Sequence, residues 1–354
     1  MSDKQVNNNS GSLISWKYLA ISISLSIIGM GLVFYFTYTP DTLHYLKPKR
    51  LPGLFIAVAV ALLKIWFSAS KIRYLADYKI SWMASLRIML TWDFASAITP
   101  STIGGAPLAT YAMAREGVSL GKSSAIILYG VLLDQFWYAI AVPILLIGGV
   151  YMEVIPPEIG MVGAVTMILI YIGLIGYGVF LTYGLLINPK AIKSVVKAVF
   201  RLPVLRRQSE KINKEAENLE MYSYELRKKP ARFVLYSFYL STMAWLCRIA
   251  VPVIVVLSLL PAQEVLLIMR SLAMNLASLI IPTPGGSGGV EGLFAVFIGP
   301  VIDRIEFIGL AVFVWRFITY YVSIGLGVFA TTWYMNNSVN GESDEPETGE
   351  HAHG

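Results

Sequence analysis

Residues Pro282–Gly292 read PTPGGSGGVEG, and the fold turns on what this stretch does. Five glycines, two prolines and one carboxylate are poor material for a helix. Yet the flanking runs, about 264–281 and 293–302, are apolar enough for lipid. Irregular backbone is tolerated at membrane depth only where it is buried in protein or lines a water-filled space. The stretch therefore predicts a helix that breaks inside the membrane, beside a polar cavity.

The rest of the chain supports the membrane setting. Of 354 residues, 56% are hydrophobic and 14% charged, against roughly 25% charged in a soluble domain. Apolar segments fall at about 18–38, 53–70, 80–98, 123–150, 160–187, 233–260, 264–281 and 307–335, with shorter runs at 107–114 and 293–302. Long unbroken runs read as helices, because a barrel would alternate over about ten residues. The segment 18–38 holds no charge and no proline, and no small-residue cleavage site follows it, so it reads as an anchor. The expected class is an all-α polytopic membrane protein. Its single transmembrane domain would cover 16–335, between a disordered N-terminus (1–15) and a disordered acidic tail (336–354). Cys247 has no second cysteine to pair with, which excludes an intrachain disulfide and a cysteine metal site. No cofactor, metal or nucleic-acid partner is expected.

Orientation follows the basic residues. The loop 188–232 holds the densest run of Lys and Arg and should be cytoplasmic, whereas YMEVIPPE at 151–158 has two Glu and no basic residue. Lys71, Arg73, Lys79 and Lys122 then fall inside, and both termini are cytoplasmic, in a bacterial or archaeal cytoplasmic membrane. Loop 39–51 falls outside despite Lys47, Lys49 and Arg50. Lys190, Lys193, Lys197 and Arg201 recur at helical spacing. They predict either a helix lying on the inner leaflet or a charge cluster that only sets topology.

The opening stretch has a counterpart. DFASAITPSTIGGAP (Asp93–Pro107) aligns with NLASLIIPTPGGSGG (Asn275–Gly289): Ala95-Ser96 stands opposite Ala277-Ser278, Pro100 opposite Pro282, and Asp93 opposite Asn275. Downstream, VLLDQFWY from Val131 resembles VFVWRFITY from Val312, which sets Gln135 opposite Arg316. The two copies, about 53–150 and 233–335, would enter from opposite faces. Two Gly/Pro-broken, re-entrant-type helix pairs in an inverted repeat point to a transporter site near the midplane. The alternative is two ordinary proline kinks.

A broken helix exposes N–H groups that favour an anion. In the second break a helix should start near Gly288, and in the first Pro107 suits the first helical position with Ala106 as cap. With Gly288 as cap, Glu291 takes the third helical position. It is then either a cap of its own helix or a proton carrier beside the substrate. Intramembrane charges are expensive and should face the interior. Ion pairing is expected for Asp93 and Asp134, the latter for example with Arg316. Ligand contact is expected for Arg270 and Arg316, since Arg can fork onto a phosphate. Lys64 is near enough to its span end to snorkel; Arg87 and Arg248 are left open. The sequence shows no catalytic constellation and no phosphate-binding loop.

With their neighbours, PTPGGSGGVEG and TPSTIGGAPLATYAMAREG (Thr99–Gly117) resemble the two signature segments of the lysylphosphatidylglycerol synthase transmembrane-region family, over about 15–335. The resemblance implies a flippase-like integral membrane protein that moves polar-headed lipids: aminoacylated phospholipids, glycolipids or prenyl-linked sugars. Bifunctional members continue into a soluble aminoacyl-transfer domain, whereas this sequence stops in a short acidic tail, so synthase activity is not implied. By the family pattern Pro282, Pro284, Gly285, Gly286, Gly288 and Glu291 form the substrate-pocket segment, with Thr99, Pro100, Gly104 and Gly105 as the weaker counterpart. Three functions stay open: a flippase or scramblase for an anionic-headgroup lipid, an ion-coupled transporter of a small soluble anion, and an intramembrane enzyme or a non-catalytic partner of a separate lipid-modifying enzyme.

Overall fold

A computed structural model of the chain describes residues 16–39, 52–99, 104–191 and 209–342. The described residues are helical, with no strand among them. The helices are α1 (Trp16–Thr37), α2 (Pro52–Leu75), α3 (Trp82–Ile98), α4 (Gly105–Arg115), α5 (Leu120–Tyr151), α6 (Gly160–Thr182), α7 (Ser209–Arg227), α8 (Ala231–Leu259), α9 (Glu264–Ala277), α10 (Gly289–Ile298), α11 (Ile308–Arg316) and α12 (Val322–Glu342). A π-turn, Tyr183–Ile187, extends α6, and another, Phe317–Tyr321, joins α11 to α12.

Six of the described segments are long and apolar enough to cross a membrane: Lys17–Thr37, Pro52–Leu75, Leu120–Tyr151, Gly160–Ile187, Ala231–Leu259 and Ile305–Tyr334. Their outer faces are apolar. Leu169 and Val179 on α6 are 61% and 63% exposed, a surface that belongs against lipid. The helices α4, α9 and α10 are too short to span: at about 1.5 Å per residue they reach roughly 15–21 Å, against a core of about 30 Å.

Cross-contacts sort the helix ends. At one end, Tyr222 of α7 donates to the Leu75 carbonyl, Lys229 pairs with Asp77, and the Gly121 amide donates to Glu215. The last span ends there too, because Tyr334 donates to Glu116. At the other end, a Cβ on Gly53 would collide with Ser258, and one on Gly309 with Phe34. The α3/α4 pair begins and ends at the first end, where Arg87 of α3 binds Glu116 just past α4 at 2.8 Å. The α9/α10 pair begins and ends at the other, where Arg270 of α9 binds the Phe297 carbonyl of α10 at 3.2 Å.

Ser81 caps α3 and Ser119 caps α5 through their side chains. The start of α4 differs from expectation: the helix begins at Gly105 with Gly104 as N-cap, so Pro107 is its third residue and Ala106 is not the cap. The final helix runs to Glu342, beyond the expected limit at 335. Most of the basic segment expected as a surface helix, 192–208, lies outside the described residues.

Candidate functional site

The end of α3 meets the second Gly/Pro segment. Gly285 has φ +60°, and a Cβ there would lie 2.9 Å from the Ala97 carbonyl, so only glycine lets the two tips touch. α1 fastens this junction. Ser22 Oγ lies 2.6 Å from the Ala97 carbonyl and 3.0 Å from the Pro284 carbonyl. It also bonds the Tyr320 hydroxyl, which lies 3.0 Å from Ser287 Oγ. Tyr320 is placed by the π-turn that follows Arg316, a local widening often found at functional positions.

Beside the junction is a cavity of about 850 Å³. Asp93, Asp134, Asn275, Gly285, Gly286 and Arg316 all line it, from five different helices or breaks. Lys64, Lys71 and Arg248 face the same space. Apolar and aromatic side chains such as Ile65, Met89, Trp92, Tyr138 and Trp245 complete the wall.

The charges are arranged in pairs. Lys64 of α2 binds Asp93 of α3 at 2.7 Å, and Lys71 binds Asp134 of α5 at 2.9 Å. The same Asp134 oxygen accepts from Trp245 Nε1 at 3.0 Å and from Ser241. Pairing of Asp93 and Asp134 was the expectation, but the partners differ. Asp134 does not meet Arg316, and Lys64 does not snorkel. Lys71, expected as an inside-anchoring charge, is 7% exposed within α2. One helix turn carries Lys64 and another Lys71 along α2 so that each reaches a carboxylate on a neighbouring helix.

Arg316 instead meets the opening stretch. Its Nε donates to Glu291 Oε1 at 2.8 Å, and Ser26 Oγ donates to the same oxygen at 2.6 Å. Glu291 side-chain exposure is 0% and that of Arg316 is 6%. Glu291 is the third residue of α10 with Gly288 as N-cap, as expected, and its charge suits the positive helix end. The cap itself makes no side-chain hydrogen bond; the carboxylate is turned to Arg316 and α1. Such a pair is stable only when both partners are present, because either charge alone would be stranded in a dry site. Close approach makes this possible: a Cβ on Gly29 of α1 would lie 2.8 Å from the Gly288 Cα.

The other expected residues fall elsewhere. Arg270 is 3% exposed and is satisfied by the carbonyls of Glu153, at 3.0 and 2.8 Å, and Phe297. It clamps the mouth of its helix pair and does not line the cavity, which accounts for a buried arginine without any ligand. Arg87 does the same for the first pair, and its guanidinium also sits 3.8 Å over the Trp333 ring. Thr99, Gly104, Gly105, Pro282, Pro284 and Gly288 shape the breaks without lining the cavity. Pro100 lies outside the described residues.

Sequence reasoning missed Ser22, Ser26 and Tyr320. A signal existed for the serines. They are spaced i, i+4 in ISISLSIIG, so they share one face of an otherwise apolar helix. Both are fully buried, while Ser24 between them is exposed.

The profile of the lysylphosphatidylglycerol synthase TM region matches residues 17–327, a range that contains every residue lining the cavity. The chain belongs to that family. It is also similar to a UPF0104 membrane protein of Archaeoglobus fulgidus, 26% identical over 334 residues, covering 90% of this chain and 97% of the relative. The family assignment fits an integral membrane protein whose matched region ends inside its last apolar span.

Proposed function

We propose that this member of the family moves the polar headgroup of an anionic lipid across the membrane through the central cavity, while the acyl chains stay in hydrocarbon. The carrying observation is the cavity itself. It lies where two short helix pairs meet tip to tip, and charged residues from both halves line it within apolar walls. Ions in a membrane interior are expensive and mark substrate paths. The pairs α3/α4 and α9/α10 are fastened at opposite ends of the bundle, which supports an inverted repeat rocking about a fixed site. We place the end that carries α7 in the cytoplasm, with both termini there, because the connection 188–232 that contains α7 holds the densest run of Lys and Arg in the chain.

The test is reconstitution into liposomes with acyl-labelled anionic lipid in both leaflets, followed by bleaching from outside. Bleaching of nearly all label with wild type, but about half with Glu291→Gln, is the expected result. Half bleaching for every anionic lipid, together with uptake of a soluble anion, would replace lipid by that anion as the cargo. For orientation, Ile155→Cys and Glu220→Cys in a Cys247→Ser background should label from outside and inside respectively.

A further inference from the structure

The repeat pairs its cavity cations unequally. Lys64 stands on α2, the long helix before the first break, and its partner is Asp93. Arg248 stands on α8, the long helix before the second, and its Nε donates at 3.2 Å to Asn275, the residue aligned with Asp93. α2 and α8 pack extensively against each other, and the two cations line the same cavity. An amide neutralises nothing. Among the described residues no carboxylate pairs with Arg248. Its guanidinium also stands over the face of Trp245, 5.2 Å from the ring centre.

Arg248 is near the middle of its span and is exposed, and it lines the cavity. A cation at that depth is costly without a counter-charge. Most of the charged side chains at the cavity stand in pairs. Lys64 cancels Asp93, Lys71 cancels Asp134, and Glu291 cancels Arg316. Arg248 is left over, so the lining together with Glu291 behind it holds one cation more than it holds carboxylates. Arg316 Nη2 is a further unsatisfied donor of the lining, and 5% of Arg316 is exposed.

We propose that Arg248, oriented by Asn275, is the anchor for a singly charged phosphodiester in the headgroup of the cargo, a reading that rests on the cavity being the transport site. A guanidinium offers two parallel N–H donors to the two free oxygens of a phosphodiester. Asn275 holds Nε and leaves the terminal nitrogens for the ligand. The charge count selects a monoanion. A phosphomonoester would bring a second negative charge with no cation left to meet it, and a zwitterion would bring a cation that Arg248 repels.

Binding is measured by calorimetry on the purified full chain in detergent. The probes are short-chain phosphatidylglycerol (diester monoanion), short-chain phosphatidic acid (monoester), short-chain phosphatidylcholine (zwitterion) and soluble glycerophosphoglycerol. Wild type should bind phosphatidylglycerol at least about tenfold tighter than the monoester or the zwitterion, as one charge-assisted hydrogen bond commands. Arg248→Gln should erase that preference, and Arg248→Lys should keep part of it. Asn275→Asp, nearly the same shape, should erase it by giving Arg248 a resident carboxylate; unchanged thermal melting and elution separate this from misfolding. A folded Arg248→Gln or Asn275→Asp protein with the full preference would overturn the proposal, as would equal binding of the monoester by wild type. Equal binding of glycerophosphoglycerol supports the diester anchor and makes a soluble diester its occupant. Arg248-dependent binding in a protein that flips no lipid would keep the anchor and break the transport reading; flipping that persists in Arg248→Gln with unchanged selectivity would do the reverse.

Discussion

Lys64 and Arg248 stand on the helices that lead into the two breaks, and they meet different partners. Lys64 has a carboxylate, Asp93; Arg248 has an amide, Asn275. The first half is electrically closed where the second is open. The breaks differ in the same spirit. Of the two breaks, the second carries its own carboxylate, Glu291, sealed against Arg316 and Ser26, whereas the polar groups next to the first, Asp93 and Ser96, face the cavity. The two Gly/Pro segments thus sit in different electrostatic settings: Glu291 is sealed behind Arg316, whereas the Lys64–Asp93 pair lines the cavity.

Breaking the sealed pair should have the largest effect. Glu291→Ala strands Arg316 in a dry site and should lower stability by about 3–5 kcal/mol, read as thermal unfolding in detergent. A melting temperature equal to that of wild type would show that the pair is not structural. Glu291→Gln with Arg316→Met removes both charges; it should recover stability, and its transport then reports what the pair contributes beyond the frame.

Ser22→Ala comes next. It removes the hydroxyl shared by the Ala97 and Pro284 carbonyls and should destabilise by about 1–2 kcal/mol. Because that hydroxyl joins the two tips, the loss should exceed that of Thr182→Ala, whose hydroxyl only returns to its own helix at Gly178. Equal losses would separate the tips energetically.

Asp93→Asn makes the first half copy the second. Its pair is about one-fifth exposed, so the stability change should stay near 1 kcal/mol. Lys64 is then left without a carboxylate, and affinity for anionic lipid should rise, read by calorimetry. Unchanged affinity would mean that the cavity does not sense its charge balance. Ser24→Ala should be smallest, within about 0.5 kcal/mol, because that hydroxyl is exposed between two buried ones.

Much of the fold was legible in the chain. Hydropathy runs alone located the spans, because a bilayer demands long apolar helices and forbids open backbone. Asp93 and Asn275, matched in the sequence, both line the cavity. Glu291 was correctly placed at the third position of its helix, since that depends only on local spacing. Arg270 illustrates the limit. A forked guanidinium at membrane depth suggested a ligand, but two backbone carbonyls, from a distant loop and from α10, take its donors.

Local sequence therefore decides which segments are helices, where they break, and which charges end up at membrane depth. It does not decide which charge meets which. Lys71 with Asp134, Glu291 with Arg316 and Ser22 with both tips are separated by dozens to hundreds of residues. Those pairings depend on how helices cross, and in a low-dielectric interior a shift of a few ångströms changes an ion pair into a stranded charge. Whether Arg248 has a counter-ion was likewise invisible in the chain, and only the packing of α8 against α9 shows that its neighbour is an amide.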